Sequence, residues 1–174
     1  MSNVGRAGRS FKAITKADLL RLRDLAAEYR ADFFRRRPDW ASLYRRRFLC
    51  SALCQGAALH YVEGIVGIQD FDVYNFWATH PSRAWYAKAR PIRDFGDPKF
   101  GRSPDRKDFV GRRVDLLGRS IDTRPGDDPE RALRAYLAGG RTLTARLLAQ
   151  KAVVGLEPAR LFGRVLWRPR RTDG

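Results

Sequence analysis

Ile68-Gln69-Asp70-Phe71-Asp72-Val73-Tyr74-Asn75-Phe76-Trp77, residues 68–77, is the clearest strand signal in the chain. Its aromatic and β-branched side chains pack well on a pleated surface, whereas aspartate is depleted in strands. Two residues apart on a strand, Asp70 and Asp72 point to one face, several ångströms from each other. Asp115 breaks the same rule in a second strand predicted over residues 110–121, between Val114 and Leu116. Any one of these aspartates reads most simply as a surface strand end. Three in two apolar strands point to a site, because departures from local rules collect at functional positions. Carboxylate oxygens are ligands for hard divalent cations, so Mg²⁺ or Mn²⁺ is the expected occupant of Asp70, Asp72 and Asp115.

The surrounding charge sharpens this reading. Residues 48–82 contain no Lys or Arg, and their only charged side chains are Glu63, Asp70 and Asp72. On either side the chain is basic: residues 1–47 hold 13 basic and 5 acidic side chains, and residues 83–113 hold ten and four. An unpaired carboxylate in an apolar setting is costly. Its counter-charge must come from a distant part of the fold or from a metal ion. The whole chain of 174 residues has a formal net charge of +16, an excess that suits nucleic acid, nucleotides or an anionic membrane surface. Only six of its 35 basic residues are lysine, and an arginine-rich composition without any function would give the same total.

Outward from the strand, the elements follow from period and punctuation. Residues 1–14 read as a flexible basic arm, with Gly5, Gly8 and Ser10 among Arg6, Arg9 and Lys12. Thr15 and Asp18 form a capping-box pattern, and Leu19, Leu22, Ala26, Tyr29 and Phe33 make a helical stripe that ends at Pro38. A second helix is expected over 39–46. Residues 48–54 read as a buried strand, with a helix running on to Val62 as the alternative. Gln55-Gly56 breaks this run, a short helix covers 57–62, and Gly64 and Gly67 make a turn. Residues 78–109 read as a long loop, a feature that is often functional. Two helices are expected at 128–138 and 142–154, then a short apolar piece, Val165-Leu166-Trp167. The expected class is α+β: a mixed sheet with N-terminal and C-terminal helices packed on it, in a single domain over 15–174 with its core at 48–121. No run of about 18 apolar residues offers a membrane span. Cys50 and Cys54 suit a reduced, cytoplasmic setting. A zinc site would need His60 or His80 beside them, and buried inert thiols are the simpler reading.

Cys54-Gln55-Gly56-Ala57, twelve residues (58–69), then Asp70-Phe71-Asp72-Val73 resembles the motif of the nucleotidyltransferase superfamily, typified by polymerase beta and the small antibiotic- and RNA-modifying transferases. Asp115 fits that family's third carboxylate. Gly56-Ala57-Ala58-Leu59-His60-Tyr61 is similar to the Gly-Gly-x-Ala-Leu opening of the toxin and abortive-infection branch. The resemblance covers residues 48–120 and departs from the pattern twice. Ala57 stands where the family has a second Gly or Ser, and Gln55 where it has a hydrophobic residue. The resemblance implies a nucleotidyltransferase-like fold and metal-dependent transfer from a nucleoside triphosphate to a hydroxyl of RNA, possibly tRNA, or of a protein. Asp70 and Asp72 would hold both metal ions. Asp115 would hold the catalytic one and help deprotonate the acceptor. Backbone N–H groups at Gly56 and Ala57 would cradle phosphate, and Lys151 or Arg113 would neutralise the leaving group.

The 83–113 stretch sets Trp85 and Tyr86 among Arg83, Lys88, Arg90 and Arg93. Aromatic rings beside arginines suit stacked bases of single-stranded RNA; equally, the rings plug the core and anchor the loop. The expected partners are a nucleoside triphosphate and RNA, with a protein partner possible and no membrane. Two other readings remain: a non-catalytic member of the fold that binds RNA or protein, and a basic nucleic-acid-binding protein whose aspartates are structural.

Overall fold

Thr15 opens the first helix as a reciprocal capping box: its hydroxyl accepts from the Asp18 N–H, and the Asp18 carboxylate accepts from the Thr15 N–H at 2.7 Å. The computed structural model describes residues 8–85 and 91–170. Helix α1 (Lys16–Arg36) gives way to α2 (Pro38–Tyr44) at Pro38, which occupies the first turn of α2, where its missing N–H costs nothing. A single tight turn of arginines, Arg45–Arg47, leads into strand β1 (Phe48–Cys54), helix α3 (Gln55–Glu63) and strand β2 (Phe71–Ala78). The short β3 (Ile92–Asp94) and the long β4 (Arg113–Ile121) follow. Helices α4 (Pro129–Gly139) and α5 (Leu143–Ala149) and strands β5 (Val153–Glu157) and β6 (Val165–Trp167) complete the described chain.

The six strands form one open mixed sheet in the order β3-β4-β2-β1-β5-β6. Only β2 and β4 run parallel; the other neighbours are antiparallel. Strand alternation sorts the core into two layers. Leu53, Phe71, Val73 and Leu116 pack with Leu19, Leu22 and Ala26 of α1 and Ala57 and Ala58 of α3. On the opposite face Tyr74, Phe76, Leu117 and Ile121 pack with Leu133 and Leu137 of α4 and Leu148 of α5. The protein is thus a mixed α/β sheet with helices on both faces. Among the described residues no helix is long and apolar enough to cross a membrane.

Several expected boundaries move. β2 starts at Phe71, so Asp70 stands just ahead of the strand; Ile68 instead makes an isolated two-way bridge with Ser10. That bridge and the buried Ile14 dock the described part of the 1–14 arm; residues 1–7 lie outside the described residues. β4 starts at Arg113, not at 110. Residues 48–54 are a strand, and the helical alternative is excluded. The helix expected to reach 154 stops at Ala149, and Val153–Glu157 is a strand paired with β1. The described part of the 78–109 stretch contains β3 and a 3₁₀ turn, Pro98–Phe100. Its later part is fastened at several points. Asp94 accepts from the N–H groups of Gly96, Val110 and Gly111, Arg21 donates to the Phe95 carbonyl, and Arg112 donates to that of Phe100.

Candidate functional site

Parallel pairing of β2 with β4 places Asp72 opposite Asp115 in register, on the face that carries Tyr74 and Leu117. Neighbouring strands lie about 4.8 Å apart, so the two carboxylates are close neighbours. Arg113, two residues before Asp115, projects from the same face of β4 by the same alternation. Its guanidinium reaches three carboxylates: Nη2 lies 3.0 Å from Asp70, Nη1 2.5 Å from Asp105, and Nε 3.2 Å from Asp115. The last is an electrostatic contact without hydrogen-bond geometry, since Nε has no hydrogen-bond partner. The counter-charge that residues 48–82 lack therefore comes from β4, 43 residues along the chain from Asp70.

Asp72 stands outside this fork. Among the described residues no donor reaches it by a hydrogen bond or an ion pair. Burial above all, then the negative charges of Asp70 and Asp115, push its carboxyl up to about 7; Arg113 and Lys151 pull the other way. Such crowding favours either a proton or a cation at Asp72.

The turn between β1 and α3 adjoins this carboxylate, because Cys54 is the register partner of Asp72. Gln55 follows at φ 61°, a left-handed conformation that glycine adopts freely and glutamine does not. The break expected at Gln55-Gly56 falls on Gln55. Gly56 and Ala57 lie in the first turn of α3, whose preceding residue provides no side-chain cap. The first N–H groups of a helix have no partner within the helix, and Cys54 gives these none from its side chain. A Cβ added to Gly56 would sit 3.9 Å from Nζ of Lys151, so that ammonium lies directly over the turn. Gly56, Ala57, Lys151, Asp70, Asp72, Asp115 and Arg113 are accordingly gathered in one region. Sequence reading missed Gln55, Asp105 and Ser103, whose hydroxyl accepts from the Arg113 N–H at 2.7 Å. Asp105 and Ser103 come from the long loop, and no spacing signal ties them to β4. With Gln69, Asp70 and Arg113 they line a cleft of about 220 Å³ beside the carboxylates.

Arg83 and Arg93, expected to bind nucleic acid, do not join this region. Arg83 follows the far end of β2, stacked 4.0 Å over the Trp40 ring and 3.5 Å from Asp39. Arg93 pairs with Val114 on β3 and so faces α1, away from Asp115. Lys88, Arg90 and Tyr86 lie outside the described residues. Trp85 is buried and stacked on Trp77 with ring centroids 3.9 Å apart, which makes it a core plug and removes it as a base platform. Cys50 and Cys54 are free, buried thiols; burial pushes Cys50 up to about 12 and Cys54 well above the usual range, so both are unreactive.

Carboxylate oxygens are ligands for hard divalent cations, and Asp72 and Asp115 are the adjacent pair that could offer them. Among the described residues, however, no three Asp, Glu, His or Cys side chains are grouped to hold a metal ion together. Asp70 is tied to Arg113 instead. Comparison with protein-family models, curated proteins and solved structures finds no match for this chain.

Proposed function

We propose that the protein is a nucleotidyltransferase with a nucleotidyltransferase-like sheet, moving a nucleotidyl group from a nucleoside triphosphate to a hydroxyl of RNA or of a protein. The observation that carries this reading is the in-register pair Asp72 and Asp115 beside the uncapped start of α3 and Lys151. In the proposed reaction the acceptor oxygen attacks the α-phosphorus, the bond to the bridging α,β-oxygen breaks, and pyrophosphate departs. Backbone N–H groups at Gly56 and Ala57 orient the phosphates, and Lys151 balances leaving-group charge. Asp115 takes the hydroxyl proton, while Arg113 fixes the position of Asp70 and Asp115. A bound Mg²⁺ or Mn²⁺, held by Asp72 and Asp115, supplies charge stabilisation to the attacking and leaving oxygens. The buried free thiols accord with a cytoplasmic setting.

The test is transfer of label from each of the four nucleoside triphosphates to bulk RNA and to protein, with Mg²⁺ or Mn²⁺. Transfer is expected for the unmodified chain, with Asp115→Asn reducing it by about 10² or more. No transfer under any nucleotide and metal combination overturns the catalytic reading. One observation favours a second reading, a non-catalytic module that binds RNA or protein: Arg113 already neutralises two of the three carboxylates. That reading expects nucleic-acid binding without turnover.

A further inference from the structure

We propose that the cleft beyond the carboxyl ends of β2 and β4 is a separate binding site, for a ribonucleoside monophosphate. It lies at the opposite end of these strands from Asp72 and Asp115, about 20 Å away at the rise of a strand. It does not rest on the carboxylate reading.

The parallel strands β2 and β4 end side by side at Ala78 and Ile121. In open α/β sheets, ligands bind in the crevice outside the carboxyl ends of such strands, where the chain turns away and leaves room. A cleft of about 470 Å³ occupies that position, a size within the range of small-molecule sites. Thr79 and Asp122, which directly follow the two strands, line it together with Ala135 and Tyr136 of α4. Ser120, which alternation places on the α1 face with Gly118, lines it as well. The cleft thus draws on both sides of the sheet and opens past the strand ends.

The lining specifies the ligand. Arg141 and Asp122 are the charged residues of the cleft, and neither has a hydrogen-bond or ion-pair partner among the described residues. A guanidinium is a planar fork for phosphate oxygens. A carboxylate accepts from ribose hydroxyls. The Ser120 hydroxyl already accepts from the Trp85 N–H at 2.9 Å, so its own proton is left to donate. Half-buried Tyr136 supplies an aromatic wall for a base. Phosphate alone would leave Asp122 facing an anion, and a neutral nucleoside would leave Arg141 unpaired. A ribonucleoside monophosphate answers both charges.

Calorimetric titration of the full chain with each of the four ribonucleoside monophosphates, with chelator present, tests this. Saturable binding is expected for at least one. Arg141→Gln should weaken it about tenfold or more, as should removal of the phosphate from the ligand. Arg141→Gln should bind the phosphate-free nucleoside as the unmodified chain does. Ala135 is exposed on α4, so Ala135→Phe fills the cleft from a position that tolerates a larger side chain, and should abolish binding. No saturable binding of any of the four by the unmodified chain overturns the inference. So does binding that survives Ala135→Phe, or that is lost in Lys151→Gln and kept in Ala135→Phe, which would place the ligand at the carboxylate end. An Arg141→Gln without effect overturns the phosphate assignment.

Discussion

The parallel pair β2 and β4 has two contrasting ends. At its start, Asp72 faces Asp115, flanked by Asp70 and Arg113, and one carboxyl is crowded enough to ionise only near pH 7. At its far end, Trp77 of β2 and Gly118 of β4 receive the indole of Trp85, inside a cluster with Phe34, Trp40 and Tyr44. Gly118 permits this approach: a Cβ there would sit 2.5 Å from Nε1 of Trp85 and 2.8 Å from the Trp77 ring. The far end gains from dispersion and apolar burial, which grow with every contact. The near end holds like charges together, which opposes folding. The comparison teaches that a strand pair can carry a destabilising polar site at one end because the other end fixes its register.

The largest expected effect breaks the aromatic end. Trp85→Ala removes a buried indole from this cluster and should cost about 3–5 kcal/mol of stability in urea denaturation. A loss below about 1 kcal/mol would show that the cluster does not anchor the pair.

A smaller effect of opposite sign sharpens the near end. Asp72 ionises at about 7 in the folded protein, against about 3.9 in an unfolded chain. Between those values the folded state holds the extra proton, so stability falls as pH rises, with the full penalty present above pH 7. Asp72→Asn lacks the penalty. With chelator present, its stability advantage should grow from pH 4.5 to pH 8, reaching about 1–3 kcal/mol. An advantage that does not change with pH would mean the three carboxylates are not crowded. The smallest effect concerns the adjoining turn. Gln55→Gly relieves the left-handed φ but frees the unfolded backbone, for a net gain of about 0.5–1 kcal/mol in thermal unfolding. Destabilisation would place the Gln55 side chain in an interaction that matters.

Much of the polar end was legible from residue spacing. Asp72 and Asp115 lie on apolar strands as read, whereas Asp70, read as a third strand position, lies just ahead of β2. Strand alternation applied to Arg113 puts it on the face of Asp115, yet its partners were not readable, because Asp70 and Asp105 reach it through strand pairing and a loop fold. The aromatic end was less legible. Trp85 as a base platform and Trp85 as a core plug look alike in sequence, and only its stacking on Trp77 separates them. The strand at Val153–Glu157 was hidden for a related reason: a short apolar run fits a helix or a buried strand equally, and its partner is β1, a hundred residues earlier.

The sequence by itself determined what depends on neighbours a few residues apart. These features are the Thr15 and Asp18 cap and the break at Pro38. Local sterics, backbone hydrogen bonding and side-chain period set these features before any long-range contact forms. The tertiary structure alone decided the strand order, the parallel pairing that sets Asp72 against Asp115, and the crowding that raises the Asp72 carboxyl. It also closed the Arg113 fork and placed Lys151 over Gly56. Those outcomes depend on which distant segments pair, and on the burial and Coulomb energies of the pairing, quantities that a period read along one chain does not contain.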